Sequence, residues 1–567
     1  MTEPQRHRLG DGLALLIGLG IFFIYCGWWV LIPTNIAWLD AGDRAMHQIG
    51  WMYFQSWPWS WPLSLNPGLG IEVATSIALV DGLPLLAFPF KLIAPWLPQP
   101  FQYWGWWLLV SFALQGLFGY RLAREFGASL LVALAAAAFV LITPAFLYRV
   151  PMHLALSSHW VILAALYLNV RRKPAALWAW PLLATITTSI HVTLLAMVLG
   201  LWVASLAQRW MQGVSSRRAR SIETMLVFIG VAAVIRFVGL LATGSLGSSG
   251  YGSYKLNLAW PFIDYGWSRL MPDIAHTRFD YEGLSFLGIG IMALLLLGLV
   301  TGGALRLGEL SSKRWWPLLA MLLLLMLFAF SRSISFTDID LLNIAMPFPV
   351  SAIGAAFRST GRFIWPLLYL LTILAVVLAG RHLPRALALP VIVLALGAQI
   401  YDSAPAWRRF AERMPDPSTA WSSPLRSPFW ERAADAGYNR VRTIPTQYGY
   451  GSDWKDIGYY AVTHGMATDT VLLARVDGPK LGALRRQAEE SLVSGAFEPR
   501  TIYLLDPQSA LAAMQHLAPG DLLAIIDGYI VFVRDGAGLI EGLDIENTTR
   551  NGGSWVPTVS QGGSLTD

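Results

Sequence analysis

Cysteine occurs once in the 567 residues, at Cys26, inside an apolar run. That excludes a disulfide framework and a cysteine-held metal. Charge is scarce too: 13% of residues are Asp, Glu, Lys or Arg, against roughly 25% in a soluble domain. A soluble globular chain is thereby excluded. No Gly-rich phosphate loop, no dinucleotide fingerprint and no internal repeat is present, so nothing points to nucleotide-driven chemistry or a solenoid. The formal charge of +6 resides in short loops and implies no nucleic-acid partner. What is abundant is apolar and aromatic: 55% hydrophobic residues and 26 tryptophans, the latter near the ends of apolar runs, as interface anchors are.

A span takes roughly 20 apolar residues. Runs of that kind predict eleven spans, at about 12–33, 102–122, 129–147, 157–170, 175–190, 192–208, 224–243, 284–302, 315–330, 363–380 and 385–401. The basic N-terminus and the lack of a small-residue cleavage site before Pro33 make the first an uncleaved span. With the N-terminus inside, every short basic loop falls on the inner face, as the positive-inside rule requires. Three long loops (34–100, 244–283 and 331–362) and the C-terminal portion then fall outside. The piece from Ile77 to Leu97 is apolar but broken by Asp81, Gly82, Pro84, Pro89, Lys91 and Pro95, and is expected on the membrane surface or re-entering. From about Asp402 the composition becomes soluble. VRTIP, TVLLARV, TIYLLD and LLAIIDGYIVFVR read as short strands, and KLGALRRQAEESL and QSALAAMQHL as helices. The expected organisation is an α-helical polytopic membrane domain over 1–401, a periplasmic α/β domain over 402–548 and a Gly/Ser-rich tail over 549–567.

The unusual polar residues of the membrane half map to the outer face. Asp40, Asp43 and His47 follow the first span, with Glu72 and Asp81 in the same loop. Arg149, His153 and His159 lie between the third and fourth spans, and His191 between the fifth and sixth. Lys255, Asp264, Asp280 and Glu282 are in the second long loop, and Arg358 and Arg362 in the third. Each has a plain structural alternative. Asp81 suits a turn before Gly82-Leu83-Pro84, and Glu282 a cap for the eighth span. The histidines suit loop hydrogen bonds, and the arginines membrane-surface anchoring. Arg236 is the clear charge within a span.

A one-sided polar chamber over a helical bundle, facing a compartment without nucleotides, fits a substrate that brings its own activation, such as a sugar on a polyprenyl phosphate. Such a site needs a carboxylate to take a proton from an acceptor hydroxyl and cations to hold the phosphate. Asp43 and Asp40 supply the first. Arg358, Arg362, Arg149 and Lys255 supply the second, Arg being suited to bidentate phosphate contact.

GDRAMHQIGWMYF, VDGLPLLAFPFK, FQYWGWW, YEGLSFLGIG and FRSTGRFIWP resemble a bacterial family of multi-span membrane proteins of largely unknown function. The arrangement as a whole resembles the GT-C class of membrane glycosyltransferases. That resemblance implies an inverting transfer from a polyprenyl-phosphate sugar to a glycan, lipid or protein acceptor, with Asp43 as base and Asp40 as runner-up. It leaves open a divalent metal, magnesium or manganese, without assigning it ligands here. The alternative from another class is a lipid-linked glycan transporter or an envelope assembly factor without catalysis. A transporter would need a polar path to the inner face, and the sequence offers only Arg236.

Overall fold

The computed structural model describes residues 3–73, 75–171, 173, 175–240, 250–301, 314–414, 421–446, 454–473 and 478–543. The chain divides into two compact units. The first comprises Met1–Gln48, Asp81–Leu241 and Leu246–Trp421; the second comprises Ile49–Val80, Ala242–Ser245 and Ser422–Asp567.

The first unit is helical. In chain order it holds α1 (Glu3–Cys26), the start of α2 (Gly42–Ser56), α3 (Pro84–Leu92), α4 (Trp104–Glu125), α5 (Leu130–Leu141), α6 (Pro144–Arg149) and α7 (Trp160–Val170). There follow α8 (Ala179–Thr188), α9 (Val192–Met211), α10 (Arg217–Val238), α11 (Ile289–Val300), α12 (Trp316–Ala329), α13 (Val350–Phe357), α14 (Trp365–His382) and α15 (Arg385–Ala411). Each of the eleven apolar runs contains a helix. Among the described residues, five helices are long and apolar enough to cross a membrane: His7–Cys26, Val192–Met211, Arg217–Val238, Thr360–His382 and Arg385–Ala411. It is a membrane protein. Several of the others are shorter than a crossing needs; α8 has only 10 residues, or about 15 Å. The nine residues of α3 likewise cannot cross, in keeping with the broken run at 77–97.

Helix α4 lies against α1, α5 and α7. Its contact with α1 is backbone on backbone, because a Cβ added to Gly116 would sit 2.6 Å from the Ala14 carbonyl oxygen. Small residues are how helices approach this closely without a hydrophobic drive between them. At the polar end of the pair, Asp11 takes two hydrogen bonds from Arg121, at 3.0 and 2.7 Å. The first helix differs from the expected 12–33: it starts at Glu3 and stops at Cys26. Gly27 then turns left-handed at φ +77°, a conformation that costs glycine nothing and ends the helix.

The second unit carries a five-stranded sheet in the order β6-β5-β7-β9-β8. These strands are β5 (Arg440–Ile444), β6 (Ala467–Thr468), β7 (Thr501–Leu505), β8 (Leu522–Ile526) and β9 (Tyr529–Val533). β5 runs parallel to β6 and β7, while β9 is antiparallel to β7 and β8. After α16 (Phe429–Asp435) and α17 (Trp454–Thr463), helices α18 (Gly478–Ser494) and α19 (Pro507–Met514) close a core of Ile444, Leu492, Tyr503, Leu505, Ala510, Ala513, Leu523 and Phe532. Of the expected TVLLARV strand, 474–476 lie outside the described residues; sheet pairing stops at Thr468, and 470–473 are not in a strand.

The division differs from the expected one in two places. Helix α15 passes Asp402 and continues to Ala411, so the first unit extends to Trp421. The middle of the first long loop, Ile49–Val80, belongs to the second unit. It covers the β6 edge: Gly70 N–H donates to Thr468 O and Thr468 N–H to Gly68 O, both at 2.8 Å, and Tyr53 Oη donates to Met466 O at 2.9 Å. An open strand edge is a liability, and this loop removes it. The tail at 549–567 lies outside the described residues, as do Arg306 and Lys313 of one basic loop.

Three carboxylates in this unit share Arg442: Glu72, Glu498 and, at 3.7 Å, Asp469. Burial pushes Asp469 up to about 7, against the pull of Arg442 and of the Thr443 N–H. A carboxyl raised on folding contributes stability at low pH that is lost as pH rises through the folded value. Between pH 5 and pH 7 the second unit should therefore lose on the order of 2 kcal/mol. Hydrogen exchange in peptides from β5 and β7, corrected for intrinsic rate, should show this loss, and Asp469→Asn should abolish it. An unchanged slope in the variant would assign the pH effect elsewhere.

Candidate functional site

Arg149 ends α6 with its side chain 3% exposed. Its Nη1 donates to Glu282 Oε2 at 3.0 Å and its Nη2 to the Glu282 backbone oxygen at 2.7 Å. Arg362, in the turn before α14, donates to the same Oε2 through Nε, at 3.1 Å, and through Nη2. Two guanidiniums thus meet one carboxylate in a place where water is largely excluded. Burial would raise Glu282, but Arg362 and Arg149 hold it well below the usual carboxylate range. Arg149 Nε is buried with no hydrogen-bond partner. Its guanidinium also faces the rings of Tyr148, at 5.0 Å, and Trp365, at 5.5 Å.

Glycines bring these segments together. A Cβ on Gly361 would lie 2.7 Å from the Lys255 carbonyl oxygen, and one on Gly283 3.0 Å from it. YEG and STGR therefore need glycine beside Glu282 and Arg362 so that both turns can close on the Lys255 backbone.

One helical turn beyond Arg149, His153 N–H donates back to the Arg149 carbonyl at 2.8 Å, carrying the imidazole to a second group. His153 Nε2 lies 3.3 Å from Asp81 Oδ2, and His191 Nε2 lies 3.5 Å from Asp81 Oδ1. His47, on α2, donates from Nδ1 to the Asp81 backbone oxygen at 3.2 Å, and its ring is 5.3 Å from that of His153. Asp81 takes a left-handed φ of +53°, so the turn expected from the sequence exists and also aims the carboxylate. Burial would raise Asp81, but His153, then His191 and His47, hold it well below the usual range. Burial, reinforced by His153, pushes His47 down to about 4, against Asp81 and Asp43, so this imidazole is neutral at neutral pH.

Asp43 stands in the first turn of α2, where a carboxylate is favoured by the helix N-terminus. It lies one turn before His47 on the same face and acts on it electrostatically. Asp40 caps the short turn Ala37–Leu39 just upstream, and both acids are half-buried.

Three candidates are placed elsewhere. Arg358 donates to Tyr254 Oη at 3.0 Å and stacks on its ring, so it does not join Arg362. Lys255 Nζ donates to Asp340 Oδ1 at 2.5 Å and Ser333 Oγ at 2.9 Å, tying its loop to the hairpin of β3 (Ser333–Phe336) and β4 (Ile339–Asn343). His159 is fully buried; its Nδ1 pairs with Tyr369 Oη at 2.6 Å and its ring packs 4.1 Å from Trp365, beneath Arg149. It supports the site through Trp365. Glu72 serves the second unit through Arg442. Asp264 accepts from the Ser268 N–H and Asp280 from Asn257, both holding loops. Arg236 is exposed in the last turn of α10, where a cation suits the helix end. Sequence reasoning did not single out Trp365 or Tyr148. The FRSTGRFIWP motif contains the former, and its signal was an aromatic three residues after Arg362.

A family profile described as "Domain of unknown function (DUF6311)" matches residues 15–404, and a second, described as "DUF6311 C-terminal domain", matches 429–534. No curated protein matches the chain. Among solved structures, the chain is similar to ArnT from Cupriavidus metallidurans bound to undecaprenyl phosphate, at 12% identity and a TM-score of 0.43, covering 92% of this chain and 97% of that one. It is also similar to the archaeal oligosaccharyltransferase AglB from Archaeoglobus fulgidus in complex with an inhibitory peptide and a dolichol-phosphate. There the identity is 12%, the TM-score 0.39, and the coverage 93% of this chain and 74% of that one. At these scores neither likeness bears on function.

Proposed function

The chain belongs to the DUF6311 family, and from that starting point we propose that it is a GT-C-type glycosyltransferase of the bacterial inner membrane. It moves a sugar from a polyprenyl-phosphate donor to an envelope acceptor on the periplasmic face. One observation carries the reading: two buried guanidiniums converge on a single carboxylate, next to a group of acids and imidazoles. Within that triad positive charge exceeds negative by one, and a buried excess of charge calls for a partner. A phosphate monoanion or diester supplies it in the geometry that arginine suits.

In this reading Arg149 and Arg362 hold the donor phosphate, and Glu282 keeps the two guanidiniums side by side. Asp43 takes the proton of the acceptor hydroxyl. That oxygen bonds to the anomeric carbon as the bond from this carbon to the phosphate oxygen breaks, inverting the configuration. The electron pair leaves with the polyprenyl phosphate, whose growing charge the guanidiniums offset. The acceptor is a glycan, lipid or protein hydroxyl. The eleven-helix topology, with the N-terminus inside and the C-terminal domain outside, belongs to the same proposal and rests on the basic inner loops.

The test is binding of undecaprenyl phosphate, the lipid named for the ArnT structure, to the purified protein. Arg149→Ala and Arg362→Ala should each weaken it by roughly ten- to a hundred-fold, since a charge-assisted contact is worth about 1.5–3 kcal/mol. Arg362→Lys should restore only part of this, because an ammonium lacks the fork. Arg358→Ala should leave it unchanged. Equal affinity in all four variants would detach phosphate from this site. Comparison of envelope glycans with and without the gene then separates transfer from the transport or assembly alternative, which predicts no missing linkage.

A further inference from the structure

We propose that Asp81, His153 and His191 form a binding site for a borderline divalent cation of the zinc class. The three residues come from separate places: a left-handed turn before α3, the segment after α6, and the first position ahead of α9. Nothing in their sequence spacing brings them together. In the fold, one ligand atom from each lies within 4.8 Å of the others.

The separations leave room for an ion between the three groups. A charged N–H···O bond closes to about 2.7–2.9 Å, whereas His153 and His191 stop at 3.3 and 3.5 Å from the carboxylate oxygens. Ligands about 2.1 Å from a tetrahedral ion are about 3.4 Å from each other. His47 fastens the Asp81 backbone from outside the triad, so the carboxylate is aimed before any ion arrives.

Two imidazoles and one carboxylate select zinc, cobalt or a similar ion. Magnesium prefers an all-oxygen shell and keeps its waters. The choice therefore departs from the magnesium or manganese that the sequence left open. Three protein ligands leave a fourth position, the pattern of reactive rather than structural zinc sites. His153 shares its turn with Arg149, so a phosphate oxygen is the natural fourth ligand. That extension rests on the transfer reading; the ion site itself does not.

The three ligands are unequal. His191 Nδ1 accepts the Thr193 N–H at 3.1 Å and caps α9, which leaves the ring proton on Nε2. Ion binding at Nε2 moves that proton to Nδ1 and releases the cap. His191 is therefore the weakest ligand of the three.

The experiment uses the full chain in detergent, stripped with chelator and free of substrate. Cobalt(II) should bind one per chain with the intense visible band of a tetrahedral N/O site, and zinc should displace it. Magnesium in large excess should not. Asp81→Asn and His153→Ala should each weaken cobalt affinity by at least about 100-fold, the upper end of what even supporting residues of such sites cost. His191→Ala should cost about ten-fold, and His464→Ala, an exposed imidazole of the second unit, nothing. Circular dichroism and size exclusion verify that each variant is folded. As a second readout, zinc should raise the melting temperature of the parent protein and not that of Asp81→Asn. The proposal is overturned if cobalt fails to bind one per chain, if magnesium competes equally, or if the triad variants bind like the parent protein. Because no donor or acceptor is present, these outcomes are independent of whether the protein transfers sugar.

Discussion

Glu282→Gln should destabilise the first unit by about 3–5 kcal/mol, the cost of removing one partner from a buried ion pair. The effect is large because two charges lose their counterion at once. Arg149 and Arg362 have side chains only 3% and 9% exposed, and water cannot replace the carboxylate. A glutamine oxygen can accept from one guanidinium, but its amide then faces the other. Thermal unfolding in detergent should show the loss. The double variant Glu282→Gln with Arg362→Gln should recover part of it, since the second substitution removes the repulsion that the first creates. Undecaprenyl phosphate should stabilise the single variant more than the parent protein, because its anion supplies the charge that was removed. A loss below about 1 kcal/mol, the value of an exposed pair, would mean that solvent screens the triad.

Asp43→Asn should leave a folded protein whose transfer activity is down by about 100-fold or more, the contribution expected of a general base. The substitution keeps shape and most hydrogen bonding but cannot accept a proton. The position is suitable on two counts: the half-buried setting limits solvent, and the neutral imidazole of His47 is one turn away. Asp40→Asn should cost less. The measurement is product formation from a polyprenyl-phosphate sugar, normalised to donor affinity so that binding and chemistry are separated. Full activity in Asp43→Asn would transfer the role to Asp40. Full activity in both variants would leave the proposed transfer without a base.

These residues were visible in the sequence one at a time, and their partnerships were not. Arg149, Glu282 and Arg362 each stood out as a charge at the end of an apolar run, because such residues are rare in a chain with this composition. Their mutual pairing spans 133 and 80 positions, and no periodicity reports contacts at such range. Arg358 looked as good as Arg362 four residues earlier. A positive φ of 57° at Arg358 turns it toward Tyr254 instead, and backbone handedness at a non-glycine residue leaves no mark in the sequence. For Asp81 the turn exists, and the same turn sets its carboxylate beside His153 and His191. His153 and His159 were given equal footing, yet one faces Asp81 and the other is sealed beneath Trp365. The helices were easier to read, because a bilayer demands long apolar runs whatever the tertiary structure. Helix ends were harder, since Gly27 stops α1 within a run that stays apolar to Pro33.

The second unit is built from pieces made at opposite ends of synthesis. Its early piece, Ile49–Val80, leaves the ribosome some 390 residues before strand β6, whose edge it covers. At about 5–20 residues per second, that is a wait of roughly 20 to 80 seconds. Throughout it, Tyr53 lacks the Met466 carbonyl that it bonds in the finished protein, where Trp51, Tyr53 and Phe54 are all fully buried. A chain cut short at Trp421 would keep most of its helical half and still carry this aromatic segment without the β6 edge that it covers. The edge of β6 and the segment that covers it therefore reach their final places only after the C-terminal strands have been made.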